Sequence, residues 1–200
     1  LQGLKSTLGT TAVDVGLGPL RYAFPNSSFP LGAIHEFCFD RIEHATASCG
    51  FIAGVLSTLM RQGGASLWIS SSRKIFPPAL KSFGIEPDKI IFLDLQKQRD
   101  VLWAMEEALK CEGLTTVVGE TKELNFTVSR RLQLAVEQSR VTGFILYNTQ
   151  GCPNTTASVS RWKITPLASE LPNDMPGVGF PRWNVELLKI RNGKPGSWEL

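Results

Sequence analysis

The sequence predicts an α/β protein, a mostly parallel sheet flanked by helices and closed by a C-terminal antiparallel hairpin extension. Three observations carry this expectation. Short, nearly continuous apolar runs alternate with amphipathic helical stretches at the spacing of βαβ units. Residues 33–60 have the strand, loop and helix order of a nucleotide-binding unit. Asn192-Gly193, set between two β-prone runs, is a hairpin signal.

Taken in order, residues 1–30 read as an N-terminal arm or linker, with Gly16-Leu17-Gly18-Pro19 and Pro25-Asn26-Ser27-Ser28 as turn material. Leu1 in place of Met reads as the trimmed start of a longer protein. Residues 31–200 read as one core domain, with parallel strands to about 147 and the antiparallel extension over 158–200. Strands are expected at 33–39, 66–70, 90–95, 115–120 and 143–147, apolar on both faces as befits a sheet covered by helices on each side.

The first helix is expected over 47–61, where Phe51, Val55 and Leu59 form one stripe and Gly63-Gly64 stops it. A short helix fits 77–83, with proline in its first turn and Gly84 just past its end. Residues 98–111 place Leu102, Met105, Ala108 and Leu109 inward and pair Glu106 with Lys110. Residues 127–140 bury Val128, Leu132, Ala135 and Val136 and expose Arg130, Arg131, Gln133, Glu137 and Gln138. Beyond them lie a polar loop at 150–157, a strand at 158–166, a Pro/Gly-rich excursion at 170–179, a strand at 183–191, and residues 194–200 folding back beside it.

Two hundred residues suffice to bury a core. No stretch approaches the ~20 apolar residues that span a bilayer, and no secretory leader is apparent, so no membrane role and a cytoplasmic location are expected. The four cysteines, Cys38, Cys49, Cys111 and Cys152, form no C-x-x-C pair, and only His35 and His44 could join them, so no metal is expected. Cys38 and Cys111 read as small buried residues. A net charge of +3 permits a nucleic-acid partner without requiring one.

The residues at the nucleotide position are informative by what they lack. A loop of the form G-x-x-x-x-G-K-[ST] uses glycines so that backbone N–H groups converge on phosphates, a lysine to neutralise them and a hydroxyl to hold magnesium. Aligned on strand and helix, this chain has Phe39 and His44 at the glycine positions, Ala45 at the lysine position and Thr46 at the hydroxyl. Asp40 and Glu43 add negative charge where phosphates would lie. The expectation is a degenerate phosphate loop, no bound cofactor and no turnover. Thr46 reads as a helix N-cap and His44 as a solvated loop residue beside Glu43.

This order of elements resembles the core of RecA-type recombinases, a P-loop NTPase fold. The stretch Pro176-Gly177-Val178-Gly179-Phe180-Pro181-Arg182-Trp183, followed by Leu187-Leu188-Lys189-Ile190-Arg191-Asn192-Gly193-Lys194-Pro195-Gly196-Ser197-Trp198, resembles the ImuA family of RecA-like error-prone repair proteins. So do Leu67-Trp68-Ile69-Ser70, Phe76-Pro77-Pro78-Ala79-Leu80, Leu102-Trp103-Ala104-Met105-Glu106-Glu107-Ala108-Leu109 and Ser129-Arg130-Arg131-Leu132-Gln133-Leu134-Ala135. The resemblance covers about residues 29–200. It implies a scaffold and recruiter in the damage response, serving mutagenic translesion synthesis with a Y-family-polymerase-like partner, ImuB, and an error-prone C-family DNA polymerase. It also leaves self-association through the N-terminal arm open.

The chain departs from an active recombinase in two further places. After the second strand, Ser70-Ser71-Ser72-Arg73 offers hydroxyls and a cation where a water-orienting carboxylate is expected. Glu120 stands where the magnesium-linked acid would be, and reads as a vestigial acid paired with a cation such as Lys122. For DNA or partner contact the candidates are Arg130 and Arg131, with Lys189, Arg191 and Lys194 expected to be exposed around the hairpin turn. Trp162 and Trp183 read as sheet packing. Two alternatives differ from the scaffold: an atypical ATP-binding switch or ATPase, and a cell-division inhibitor resembling SulA.

Overall fold

The computed structural model describes residues 16–71, 75–149, 151, 153–170 and 179–200. Residues 1–15 of the expected arm, Ser72, Arg73, Cys152 and most of the Pro/Gly-rich excursion lie outside the described residues.

Strands β1 (Ile34–Phe39), β2 (Ala65–Ser70), β3 (Ile90–Asp94), β4 (Leu114–Thr121), β5 (Thr142–Asn148), β6 (Ser160–Glu170), β7 (Phe180–Ile190) and β8 (Gly196–Glu199) form one sheet. Their order is β3-β2-β4-β5-β1-β6-β7-β8, parallel from β3 through β6 and antiparallel beyond. The helices are α1 (Ile42–Leu59), α2 (Gln98–Leu109) and α3 (Phe126–Ser139).

Right-handed crossovers dictate which face each helix covers. From β1 the chain steps away through α1 to β2 and on through a 3-10 helix, Pro77–Phe83, to β3. It then steps back through α2 and α3, so these two pack on the opposite face. One core holds α1 with Phe37, Trp68, Phe144 and Trp162; the other holds α2 and α3 with Ile34, Ile69, Val117 and Ile145. Trp162 is fully buried and stacks on Phe37 at 5.9 Å, an aromatic burial of roughly 4–6 kcal/mol.

Several boundaries differ from expectation. Helix α1 begins at Ile42, five residues before the expected 47, with Arg41 as an N-cap that makes no side-chain cap. The hairpin is not a two-residue turn: β7 runs to Ile190, β8 starts at Gly196, and Leu187 pairs with Gly196. Ile190 is held by Ser160 of β6, and Gly193 lies under residue 23, where a Cβ would come within 2.3 Å of Ala23 O. Residues 16–30, read from sequence as the end of an arm, form 3-10 turns that put Leu17, Leu20, Ala23, Phe24 and Phe29 into the core. Cys111 is exposed rather than buried, while Cys38 and Cys49 are buried. Among the described residues no helix is long and apolar enough to cross a membrane.

Candidate nucleotide and partner-binding sites

The β1–α1 junction sits at the carboxyl edge of the sheet, where open α/β sheets bind ligands. Strand β1 ends at Phe39 and α1 starts at Ile42, so only Asp40 and Arg41 connect them. A phosphate loop needs several residues free of both elements to turn its N–H groups inward. Here Glu43, His44, Ala45 and Thr46, expected in the loop, form the first turns of α1. Phe39 is buried, and its carbonyl accepts the Thr149 N–H at 2.8 Å. Ala45, at the lysine position, is fully buried, and its N–H donates to Arg41 O at 3.1 Å.

Two expectations are corrected at this junction. Thr46 is not the N-cap: its hydroxyl donates back to Ile42 O at 3.1 Å inside the helix. His44 is not a solvated loop residue, because α1 carries it one turn from Asp40 and its Nδ1 lies 2.6 Å from Asp40 Oδ1. Lys163 reaches over from β6 and donates to Asp40 Oδ2 at 3.3 Å. Loss of solvent pushes the Asp40 carboxyl up, but His44 and Lys163 outweigh it and hold the group below its ordinary range. An internal carboxylate therefore occupies the start of the helix, where the dipole favours an anion.

At the end of β4, Glu120 is buried and accepts the Trp68 indole N–H at 2.8 Å. Lys122, its expected partner, gives its backbone N–H to Gln98 Oε1 at 3.2 Å. Ser70 donates to Asp94 Oδ1 at 3.2 Å across β2 and β3.

The basic candidates are dispersed. On α3, Arg130 is exposed and Arg131 pairs with Glu106 of α2. Gln133, expected outside, is buried and accepts the Ile34 N–H at 3.1 Å, satisfying the first donor of β1. In β6 and β7 the strand period separates what the sequence interleaves: Trp162 joins the α1 core and Trp183 packs against it, while Arg161 and Lys189 pair on the other face. Both tryptophans thus pack on the sheet, as expected.

That other face holds a group sequence reasoning missed. Glu36 is fully buried in β1; it receives Arg161 Nε at 2.9 Å, Thr156 Oγ1 at 2.6 Å and Tyr147 OH at 3.2 Å. Lys189 is half-buried and donates to Thr156 O at 2.8 Å, and Arg191 donates to Ala157 O at 2.9 Å. Lys189, expected at the turn surface, is thus drawn inward, and together with Arg191, which is exposed as expected, it clamps the 153–157 loop onto the sheet. Burial lowers the Lys189 ammonium from its ordinary range and raises the Tyr147 phenol, with Glu36 adding to the latter. Lys194 is exposed, and its backbone N–H donates to Ala23 O at 2.9 Å. A carboxylate inside an apolar strand must find partners, and Glu36 in residues 33–39 was the available sign.

An apolar groove of about 620 Å³ opens beside α1. Ala47, Gly50 and Ala53 line it along the helix, Phe76, Ala79 and Phe83 form one wall, and Pro166, Pro181 and Trp183 form the other. Glu43 is the one charged residue among its described lining.

With this geometry established, three comparisons bear on the chain. No family model matches it. It is similar to Protein ImuA of Caulobacter vibrioides, 33% identical over 203 residues, covering 96% of this chain and 83% of that protein. It is similar over a shorter stretch, 54% of this chain and 63% of the relative, to the cell division inhibitor SulA of Photorhabdus laumondii at 31% identity. Among solved structures, the RadB recombinase superposes with a TM-score of 0.63 over 94% of both chains at 12% identity, which makes the fold RecA-like.

Proposed function

We propose, from the premise that this chain belongs to the ImuA family, that it acts in DNA-damage-induced mutagenesis as a non-catalytic RecA-like adaptor. In this reading it works in the cytoplasm, recruiting a Y-family-polymerase-like protein, ImuB, and an error-prone C-family polymerase for translesion synthesis. The observation that carries it is the β1–α1 junction: two connecting residues, a buried Ala45, and Asp40 held by His44 and Lys163 where an NTPase holds phosphate. Without a loop to converge N–H groups or a lysine to meet the charge, phosphoryl transfer loses its main stabilising groups.

The test is calorimetric titration with ATP and magnesium alongside hydrolysis assays, together with co-purification of the ImuB-like protein. The expected result is no heat, no turnover and a retained partner. Saturable micromolar ATP binding that is lost in Thr46→Ala would overturn the non-catalytic reading and favour a nucleotide switch. The similarity to SulA favours a second reading, a cell-division inhibitor; capture of the division GTPase in place of the ImuB-like protein is its signature.

A further inference from the structure

Of the five tryptophans, Trp68 and Trp162 are buried, Trp183 and Trp198 pack against the core, and Trp103 alone is exposed, at 64%. It stands on α2 beside a pocket of about 300 Å³ between α2 and α3, where Leu102 and Val128 supply apolar lining. Among the described residues its indole N–H donates no hydrogen bond, and no ring or cation covers its faces. An exposed aromatic alone needs no explanation. Its neighbours give this one a chemistry.

Arg99, Trp103 and Glu106 lie at i, i+4 and i+7, so they share one side of α2 over about 10 Å. Arg131 of α3 joins this line by pairing with Glu106. The indole therefore stands between two guanidinium groups that both line the pocket, with side chains 88% and 59% exposed. The nearby carboxylates already have cations: Lys110 reaches Glu106 at 3.5 Å and Glu107 at 2.7 Å, and Asp100 lies 3.6 Å from Arg99 Nε. Each guanidinium has five N–H donors, so one such contact leaves others for a second acceptor. Arg130, the residue before Arg131, is exposed and makes no ion pair among the described residues.

This order of groups selects among occupants. An apolar anchor from a protein would use the lining and leave both arginines idle. A nucleotide within a single strand is a flat base between two phosphates. The base meets the indole by stacking, and the phosphates meet the guanidinium groups on either side of it. We propose that the α2–α3 pocket holds one nucleotide of single-stranded DNA, with its base on Trp103 and its flanking phosphates on Arg99 and Arg131. The choice of DNA rests on the damage-response reading above, to which the pocket adds a contact with the nucleic acid itself.

The experiment follows the anisotropy of a fluorescein-labelled oligothymidylate titrated with the full chain at several salt concentrations. The parent binds, and Trp103→Ala weakens binding by about tenfold while Trp103→Phe, which can still stack, restores most of it. Arg99→Ala and Arg131→Ala each lower the slope of log K against log salt by about 0.7, the signature of a lost phosphate contact. An unlabelled duplex competes less well than the single strand, because its bases are not free to stack. No binding by the parent overturns the proposal, as do equal affinities of parent and Trp103→Ala or equal competition by the duplex. Loss of ImuB-like capture in Trp103→Ala also overturns it, since the pocket would then belong to a protein. Capture of the ImuB-like protein by a parent that binds no oligonucleotide leaves the adaptor standing and removes the pocket. Trp103-dependent oligonucleotide binding without any ImuB-like capture does the reverse.

Discussion

Acidification should destabilise this fold through one buried imidazole. His35 is fully buried between Phe29 at 4.3 Å and Phe144 at 5.6 Å. Its Nε2 lies 2.8 Å from Pro30 O, which can only accept, so Nε2 carries the proton. Nδ1 lies 2.6 Å from Ser160 Oγ, which itself accepts the Trp162 indole N–H at 2.6 Å and so has its own proton to give to the ring. Protonating Nδ1 would break this relay in a site without solvent. Burial accordingly holds the imidazole down at about 4, outweighing the bond to Pro30. The unfolded chain takes up the proton near pH 6.5 and the folded chain only near 4, so stability falls as pH drops through that window. Over the roughly 2.5 pH units between those values, at 1.36 kcal/mol per unit, about 3 kcal/mol is lost. Urea unfolding from pH 7.5 to 4, with His35→Phe as the comparison, isolates the effect because the carboxylates are common to both. The variant starts lower by about 1–3 kcal/mol, since Pro30 O loses its donor. Its curve is flatter by about 3 kcal/mol over the same range. Parallel curves for the two proteins would refute the argument.

Other consequences can be measured independently. Glu36→Leu removes the acceptor of Arg161, Thr156 and Tyr147 at once and should cost about 3–5 kcal/mol in chemical unfolding; a loss under 1 kcal/mol would mean that the loop clamp is not formed. Gly193→Ala places a methyl 2.3 Å from Ala23 O and 2.9 Å from Ile190, so the 191–195 connection must lift from the 3-10 turn, and the melting temperature should fall by several degrees. Glu120→Leu leaves the Trp68 indole without its acceptor and should cost about 1–3 kcal/mol, whereas Glu120→Gln, which can still accept, should cost less. In a Cys152→Ser background, a thiol reagent at pH 8 should modify exposed Cys111 in the native protein, while Cys49 is shielded by burial and Cys38 is both buried and pushed up to about 11, so both react only on unfolding.

What the sequence disclosed follows from how local each cause is. Strands β1 to β5 lie within a residue or two of their expected positions, because a short apolar run between turn signals announces itself, whereas β6, expected in the antiparallel extension, pairs parallel with β1 and runs on to Glu170. The start of α1 was hidden because Arg41 supplies no side-chain cap, while Thr46, one turn inside, has the chemistry of a cap. The hairpin register was hidden for a different reason. Asn192 does take a left-handed φ of 58° as a turn residue should, but Gly193 is required by the carbonyl of residue 23, a contact no local pattern reveals. The loop clamp made by Lys189 and Arg191 was hidden because their acceptors, the carbonyls of 156 and 157, lie over 30 positions away.

The same long-range logic explains why the β1–α1 junction has this composition. In a nucleotide-binding member of the fold, the N-terminus of the first helix is stabilised by the phosphate it holds, and glycines keep the approach open. Remove the ligand and that end of the helix still carries unsatisfied N–H groups and a positive dipole, while the sheet edge still needs cover. This chain meets both needs with its own atoms. Asp40 places a carboxylate at the helix start, His44 closes on it from the first turn, and Lys163 ties the pair to β6. Phe39 and Ala45 fill the volume a loop would have left open. The junction thereby joins the parallel core to the antiparallel extension, whose Pro166, Pro181 and Trp183 form one wall of the groove on α1. Asp40→Ala therefore tests the junction directly. It frees His44 and Lys163, costs about 1 kcal/mol for a half-exposed pair, and loosens β6 against α1 where the groove walls meet. A stability loss of that size with ATP binding still absent is the expected outcome; a gain of ATP binding would mean that the junction was blocked by charge alone and not by its missing loop.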